Sequence, residues 1–324
     1  MALWATLLAA ACLQANGLRR GSEALSVGDV DPQADDVLDD FDLYTDLSVY
    51  KDGEGRQQAL RKPKASAARL PSAPGPEKIL FLTHHKTGTF LMRQMASSLE
   101  ATLGMEVQLR IQNRRTHPCN FSAQVAHYQN FHEEDLEIIR RDCPNYRAVH
   151  LIRSPLSLLA SAYMYHRNTP DTFGMPTGPK KLTGLSVYDG LRLESEAIMY
   201  KRPTQRGVLR EMLAVHELVK DDPRVLETDL DSFAQDFDGT TRRVFTHLLE
   251  EGHPAVDWLV RVNKEADVGR WTPERLAKNN HVHEKTMKHV VSKAVTELLR
   301  IGDPSVLSVL SYSEPLGYEN VTVL

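Results

Sequence analysis

His84-His85-Lys86-Thr87-Gly88-Thr89 interrupts an apolar stretch, ILFLTHHKTGTFLMRQM over residues 79–95. A chain that leaves a buried strand through a lysine, a glycine and two threonines is suited to meet an anion. Loop amides ahead of a helix N-terminus, with the positive end of the helix dipole, bind phosphate-like groups. Gly88 lets the backbone approach closely, Lys86 adds a point charge, and Thr87 and Thr89 carry hydroxyls. The nucleotide-loop pattern G-x-x-x-x-G-K-[ST] is absent, because Phe81 stands where its first glycine belongs. The loop is a phosphate cradle of another kind, with a plain polar turn at a strand end as the alternative at this point.

A second set of residues has the same character. The run Arg147-Ala148-Val149-His150-Leu151-Ile152 ends at Arg153-Ser154-Pro155, and Ser161 follows eight residues after Arg153. An arginine at a strand's C-terminal end sits where ligands bind in open α/β sheets. Its guanidinium suits bidentate phosphate contact. Ser161, about two helical turns on, returns to the same side and offers a hydroxyl.

Together these residues resemble the sulfotransferases that use 3′-phosphoadenosine 5′-phosphosulfate (PAPS). In that family a Lys-x-Gly-Thr loop after a strand holds the 5′-phosphosulfate, and a later strand ends in Arg with Ser eight residues on for the 3′-phosphate. Lys86-Thr87-Gly88-Thr89 and Arg153 with Ser161 match in type, order, spacing and setting. Arg224-Val225-Leu226-Glu227-Thr228-Asp229-Leu230 is similar to the family's later strand–acidic–Leu segment, and Pro315-Leu316-Gly317-Tyr318 to its usual C-terminus. The resemblance spans about residues 78–319. It implies a three-layer α/β domain with a central parallel sheet, PAPS as co-substrate, no metal, and cofactor contacts from His85, Lys86, Thr87, Gly88, Thr89, Phe90, Arg153 and Ser161. The double histidine is closer to the His-Lys-Thr loops of Golgi carbohydrate sulfotransferases.

Two departures from the family pattern stand out. The adenine-stacking aromatic of the cytosolic branch falls at Leu91 here, with Phe90 just before it. The late Arg-Lys-Gly-x-x-Gly-x-Trp segment is reduced to Lys264-Glu265-Ala266-Asp267-Val268-Gly269-Arg270-Trp271, which leaves Lys264 and Arg270 as cofactor contacts or as solvated charges.

The reaction needs a base to take the acceptor hydroxyl's proton while charge on the leaving oxygen is stabilised by Lys86 and loop amides. Histidine titrates near neutrality. The family's histidine base, where used, lies about twenty residues before the 3′-phosphate arginine. His132 stands 21 residues before Arg153; His127 is the second candidate, ahead of His85, Glu133 and Glu100. His281-Val282-His283-Glu284 lacks a matching second set of metal ligands.

The elements that must position these residues follow from the pattern. Strands are expected at 79–83, 122–127, 148–152 and 224–227. Helices are expected at 90–103, 133–141, 155–165, 188–200, 207–220, 240–251, 255–262 and 284–300. Short apolar strands alternating with helices argue for a parallel sheet covered on both faces, in one domain over 77–324. Residues 18–76 carry an acidic tract, a basic segment and Pro71-Ser72-Ala73-Pro74-Gly75-Pro76, the composition of a flexible stem too polar to build a core.

Bulk properties set the outer limits. The chain has 324 residues, is 41% hydrophobic and 25% charged, and carries a formal charge of −4, so no global basic field recruits nucleic acid. Residues 1–17 read as a signal peptide or short anchor, since the apolar run Ala2–Leu13 is shorter than the ~20 residues that span a bilayer. Membrane association follows only if that segment is an uncleaved anchor. Sequons at Asn120 and Asn320, and Cys119 and Cys143 left as a pair, are compatible with a Golgi-lumenal or secreted protein. The expected acceptor is a carbohydrate hydroxyl. Alternatives are a small phenol, alcohol or metabolite, an ATP-dependent kinase, or a non-catalytic PAPS-binding homologue.

Overall fold

Five parallel strands are hydrogen-bonded in the order β2-β3-β1-β4-β7. They are β1 (Lys78–Thr83), β2 (Val107–Ile111), β3 (Val125–Gln129), β4 (Tyr146–Ile152) and β7 (Val225–Asp229). A two-stranded ribbon, β5 (Tyr200–Arg202) with β6 (Gln205–Arg206), stands apart from the sheet. The computed structural model describes residues 76–111, 122–168, 177, 179–202, 205–277 and 285–318. The signal or anchor segment, most of the stem, both sequons, Cys119 and the His281–Glu284 cluster lie outside them. Cys143 is disulfide-bonded, and the chain's other cysteines, Cys12 and Cys119, lie outside the described residues.

The continuous apolar run of β1 is explained by burial on both faces. Ile79 and Phe81 pack with Val125, Val149 and Leu151 against the Thr89–Leu103, Phe237–Leu249 and Val256–Asn263 helices. Leu80 and Leu82 pack with Ala126, Tyr128, Tyr146 and Ala148 against the Glu133–Asp142 and Val208–Val219 helices. Alternate residues thus feed opposite cores, as the two-residue period of a strand requires. A third core joins the Pro155–Asn168, Val187–Met199, Lys285–Arg300 and Pro304–Leu310 helices. This is the three-layer α/β fold the sequence led one to expect, and no helix among the described residues is long and apolar enough to cross a membrane.

The expected elements are largely present, with corrections that include an unexpected β5–β6 ribbon and Pro304–Leu310 helix. β2 was not expected: its sequence VQLRI alternates polar and apolar side chains at a sheet edge, so the signal is weak. β3 begins three residues later than expected and runs on to Gln129, because Phe81 and Thr83 of β1 pair in register with His127 and Gln129. The helix expected from 240 begins at Phe237, where Asp236 caps it by accepting from Gly239 N at 2.9 Å. Strand order places β1 between β3 and β4, the point at which chain direction across the sheet reverses and at whose C-terminal edge α/β folds bind ligands.

Candidate functional site

The loop of residues 84–88 is a tight turn locked by its own side chains. Thr87 Oγ1 accepts from His84 N and donates to His84 O, both at 2.9 Å. Thr89 Oγ1 donates to the same carbonyl at 3.4 Å and lies 3.3 Å from Thr83 Oγ1. Both threonine hydroxyls therefore brace the turn. Lys86 has φ 64° and Gly88 φ 109°, so two of the five loop residues are left-handed, a strained state for lysine. Gly88 is also the helix N-cap, and no side chain caps the Thr89–Leu103 helix. Its first-turn amides are thus left to water or to a ligand.

Two cations share this edge of the sheet. Arg153, just past β4, donates from Nη1 to Lys86 O at 3.0 Å. Its Nε is buried without a hydrogen-bond partner. Burial pushes the guanidinium's pKa down, against the pull of Asp231 and Tyr318. Lys86 keeps some exposed surface, but its ammonium is crowded: Nζ lies 3.9 Å from the centre of the Tyr165 ring. Burial first, and Arg153 second, lower its pKa from 10.5 to about 7. Holding the lysine charged there costs roughly 5 kcal/mol relative to water. Neither cation has an ion pair among the described residues, although buried charges are normally paired. An anion at this edge, contacting both cations and the first-turn amides, would remove that cost. The orphaned Arg153 Nε is the observation by which the site fits a phosphate group.

Other expected residues fall around this centre. Ser161 is buried on the Pro155–Asn168 helix, one turn before Tyr165. Leu91 points into the core, whereas Phe90 meets Trp271 edge-on at 6.5 Å, so Phe90 is the aromatic available near the loop helix. Lys264 and Arg270 form a separate cluster in which both grip Asp238 at 2.9 Å. The structure makes no contact between them and Lys86 or Arg153 among the described residues.

The two candidate bases differ in setting. His127 has no exposed surface, and its Nε2 is 3.3 Å from Thr83 Oγ1, a bracing position beneath the loop. His132, partly exposed, is the N-cap residue of the Glu133–Asp142 helix. Its Nδ1 is 3.1 Å from Glu211 Oε2, close but off-line for a hydrogen bond. The neighbouring turn at Asn130 is left-handed, and Phe131 N donates to Thr83 O at 3.0 Å, which ties His132 to the end of β1. Glu134 adds a third ligand atom, all three within 4.8 Å. Such a set has the atoms to hold a divalent cation, although Glu134 is exposed.

Sequence reasoning missed several residues here. Tyr165 under the lysine is one. Tyr318 is another: its hydroxyl is buried without a partner beside Arg153, and burial, Asp229, Asp231 and Glu227 push its pKa far up. His150, Glu227, His166 and Glu194, which hold the two loop histidines, are the others. The double histidine was the one visible signal of those last four.

No protein-family model matches the chain, and no curated protein matches it. Among solved structures it is similar to mouse sulfotransferase SULT7A1 complexed with PAP, with 12% identity and a TM-score of 0.45, covering 74% of this chain and 88% of that one. It is also similar to retinol dehydratase in complex with androsterone and inactive cofactor PAP, with 10% identity and a TM-score of 0.41, covering 71% and 83%. A sulfotransferase from Alicyclobacillus acidocaldarius gives 15% identity and a TM-score of 0.36, covering 67% of this chain and 100% of that one.

Proposed function

We propose that this chain transfers a sulfuryl group from PAPS to a hydroxyl acceptor, a carbohydrate in the lumen of the secretory pathway. The observation that carries the reading is the pair of crowded cations, Lys86 and Arg153, neither in an ion pair among the described residues, beside an uncapped helix start. The match of Lys86-Thr87-Gly88-Thr89 and Arg153 with Ser161 to the sulfotransferase pattern supports the choice of anion. The His-Lys-Thr loop, the sequons and the apolar start support the acceptor class and the compartment.

In this reading Lys86 and the first-turn amides hold the phosphosulfate end, and Arg153 with Ser161 holds the 3′-phosphate. His132 takes the acceptor's proton on Nε2, since Nδ1 faces Glu211, and the glutamate balances the imidazolium that results. The acceptor oxygen forms the new S–O bond as the bond to the bridging phosphate oxygen breaks, and adenosine 3′,5′-bisphosphate leaves. Lys86 stabilises the charge that collects on that bridging oxygen.

A radiolabelled-sulfate transfer screen over glycans, phenols and peptides tests the assignment. Label on a glycan hydroxyl is expected, and label confined to phenols would overturn the acceptor class. Calorimetry that found tight binding of ATP with magnesium, and none of the bisphosphate, would overturn the reaction class.

A further inference from the structure

The two loop histidines meet different partners, and each chain ends on a glutamate, Glu194 buried and Glu227 half-buried. His84 Nε2 is 2.9 Å from His150 Nε2. His150 Nδ1 is 2.8 Å from Glu227 Oε2, and Glu227 Oε1 is 2.7 Å from His216 Nδ1. On the other side, His85 Nε2 is 3.0 Å from His166 Nε2, and the two rings stack with 4° between their planes. His166 Nδ1 is 2.9 Å from Glu194 Oε1, while Thr177 Oγ1 donates to Glu194 Oε2 at 2.8 Å. His84, His150, His166, Glu194 and Thr177 are all buried. The mechanism above uses none of these glutamates or their histidine partners.

Proton bookkeeping along each chain has one neutral solution. A carboxylate only accepts, so the imidazole nitrogen facing it must be N–H. In a neutral ring the other nitrogen is then a lone pair, and it must receive a hydrogen. His150 Nε2 and His166 Nε2 therefore accept, and the loop histidines donate from their own Nε2–H. In that solution His84 and His85 are both neutral with Nδ1 unprotonated. Burial, then His150 and His132, hold His84 well below its ordinary pKa, in keeping with a neutral ring. Burial pushes the Glu227 carboxyl up, but hydrogen bonds with His150 and His216 keep it below the usual range, so it is the accepting carboxylate that this solution requires.

We propose that His150–Glu227 and His166–Glu194 are positioning pairs that lock His84 and His85 as neutral Nε2–H tautomers, and so hold the turn that presents Lys86. This rests on the reading of the turn as the phosphosulfate loop. With both histidines neutral, the loop and Arg153 offer two positive charges instead of four, and Lys86 is not driven further from its charged state. A left-handed Lys86 is held by two anchors: β4 and β7 through His84, and the Pro155–Asn168 and Val187–Met199 helices through His85.

Histidine-selective 15N NMR of the full chain reads the tautomers directly at pH 7.5, with no need of turnover. Wild type is expected to show His84 and His85 as Nε2–H tautomers. Glu194→Gln should lose that signature at His85 only, and Glu227→Gln at His84 only, with kcat for sulfate transfer down about 10- to 100-fold in each, as for other carboxylates that orient a histidine. Thr177→Val, which removes one bond to Glu194 at constant bulk, should give a smaller loss in the same direction. An Nδ1–H tautomer or an imidazolium at either loop histidine of wild type overturns the proposal even if the glutamate variants fail to fold. Unchanged tautomers or unchanged kcat in folded variants overturn it too. Failure of the proposed function shows separately, as wild type that does not bind adenosine 3′,5′-bisphosphate.

Discussion

Lys86 at about pH 7 gives the site a measurable proton linkage. The free ammonium is disfavoured by burial and by Arg153, so above that pH the empty site is mostly neutral. A bound phosphate anion favours the charged form and raises the pKa toward its ordinary 10.5. Between the two values the free site lacks a proton that the bound site holds. Binding must then take up a proton, and affinity must fall as pH rises through the window. Calorimetry with adenosine 3′,5′-bisphosphate at pH 8, in two buffers of different ionisation enthalpy, should show uptake approaching one proton per site. Lys86→Met should bind more weakly with uptake near zero; a wild type with no uptake contradicts the assignment of Lys86. His132→Asn should lower kcat about 10²- to 10⁴-fold with bisphosphate affinity intact, and normal turnover in that variant would move the base elsewhere. At this scale the sequence exposed the residues whose type is unusual for their place: a lysine and an arginine at strand ends. It hid their supports, because His84 and His150 are 66 residues apart and a buried histidine or glutamate has no pattern of its own.

The strand–turn–helix unit depends on Gly88 more than on any hydroxyl. Its φ of 109° is one that side-chain-bearing residues rarely adopt, and a Cβ there would lie 2.6 Å from Leu151 Cδ2 and 2.8 Å from Leu230 Cδ2. Leu151 has no exposed surface and little room to give. Gly88→Ala should therefore cost about 2–4 kcal/mol, backbone strain and overpacking together, and should also displace the first-turn amides. Thermal denaturation and bisphosphate titration check both parts; an alanine variant with wild-type melting and affinity would show that the turn is not held this tightly. The same element explains why this part of the fold was legible. β1 and β4 are largely apolar and buried on both faces, a pattern that a covered parallel sheet requires, and the glycine marks the turn. β2 was not legible because an edge strand covered on one side needs no such run. The short Leu230–Gln235 helix after β7 was hidden likewise, since its start is set by Asp229 accepting from Ser232 N at 2.8 Å rather than by any apolar period.

Over the whole molecule, the formal charge of −4 makes the cationic site a local exception within an acidic chain. No net field draws an anionic ligand in from long range, so selectivity must come from contacts at the loop. In the proposed reading, Lys86 with the first-turn amides and Arg153 with Ser161 meet an anion charged at both ends of a nucleoside. Adenosine 3′,5′-bisphosphate has that form; ATP concentrates its charge at one end and brings magnesium, which Lys86 and Arg153 would repel. A ligand that binds only the native state at a hundredfold excess over Kd stabilises by about 2.7 kcal/mol. For a domain of this size that corresponds to a rise in Tm of about 5–10 °C. The bisphosphate should produce such a rise, adenosine 5′-monophosphate a much smaller one, and ATP with magnesium little. Arg153→Ala should erase the difference between the bisphosphate and the monophosphate, because the second phosphate then has no cation. If the variant still told the two apart by several degrees, the 3′-phosphate would have to lie elsewhere, and Lys264 with Arg270 on Asp238 would be the place to look.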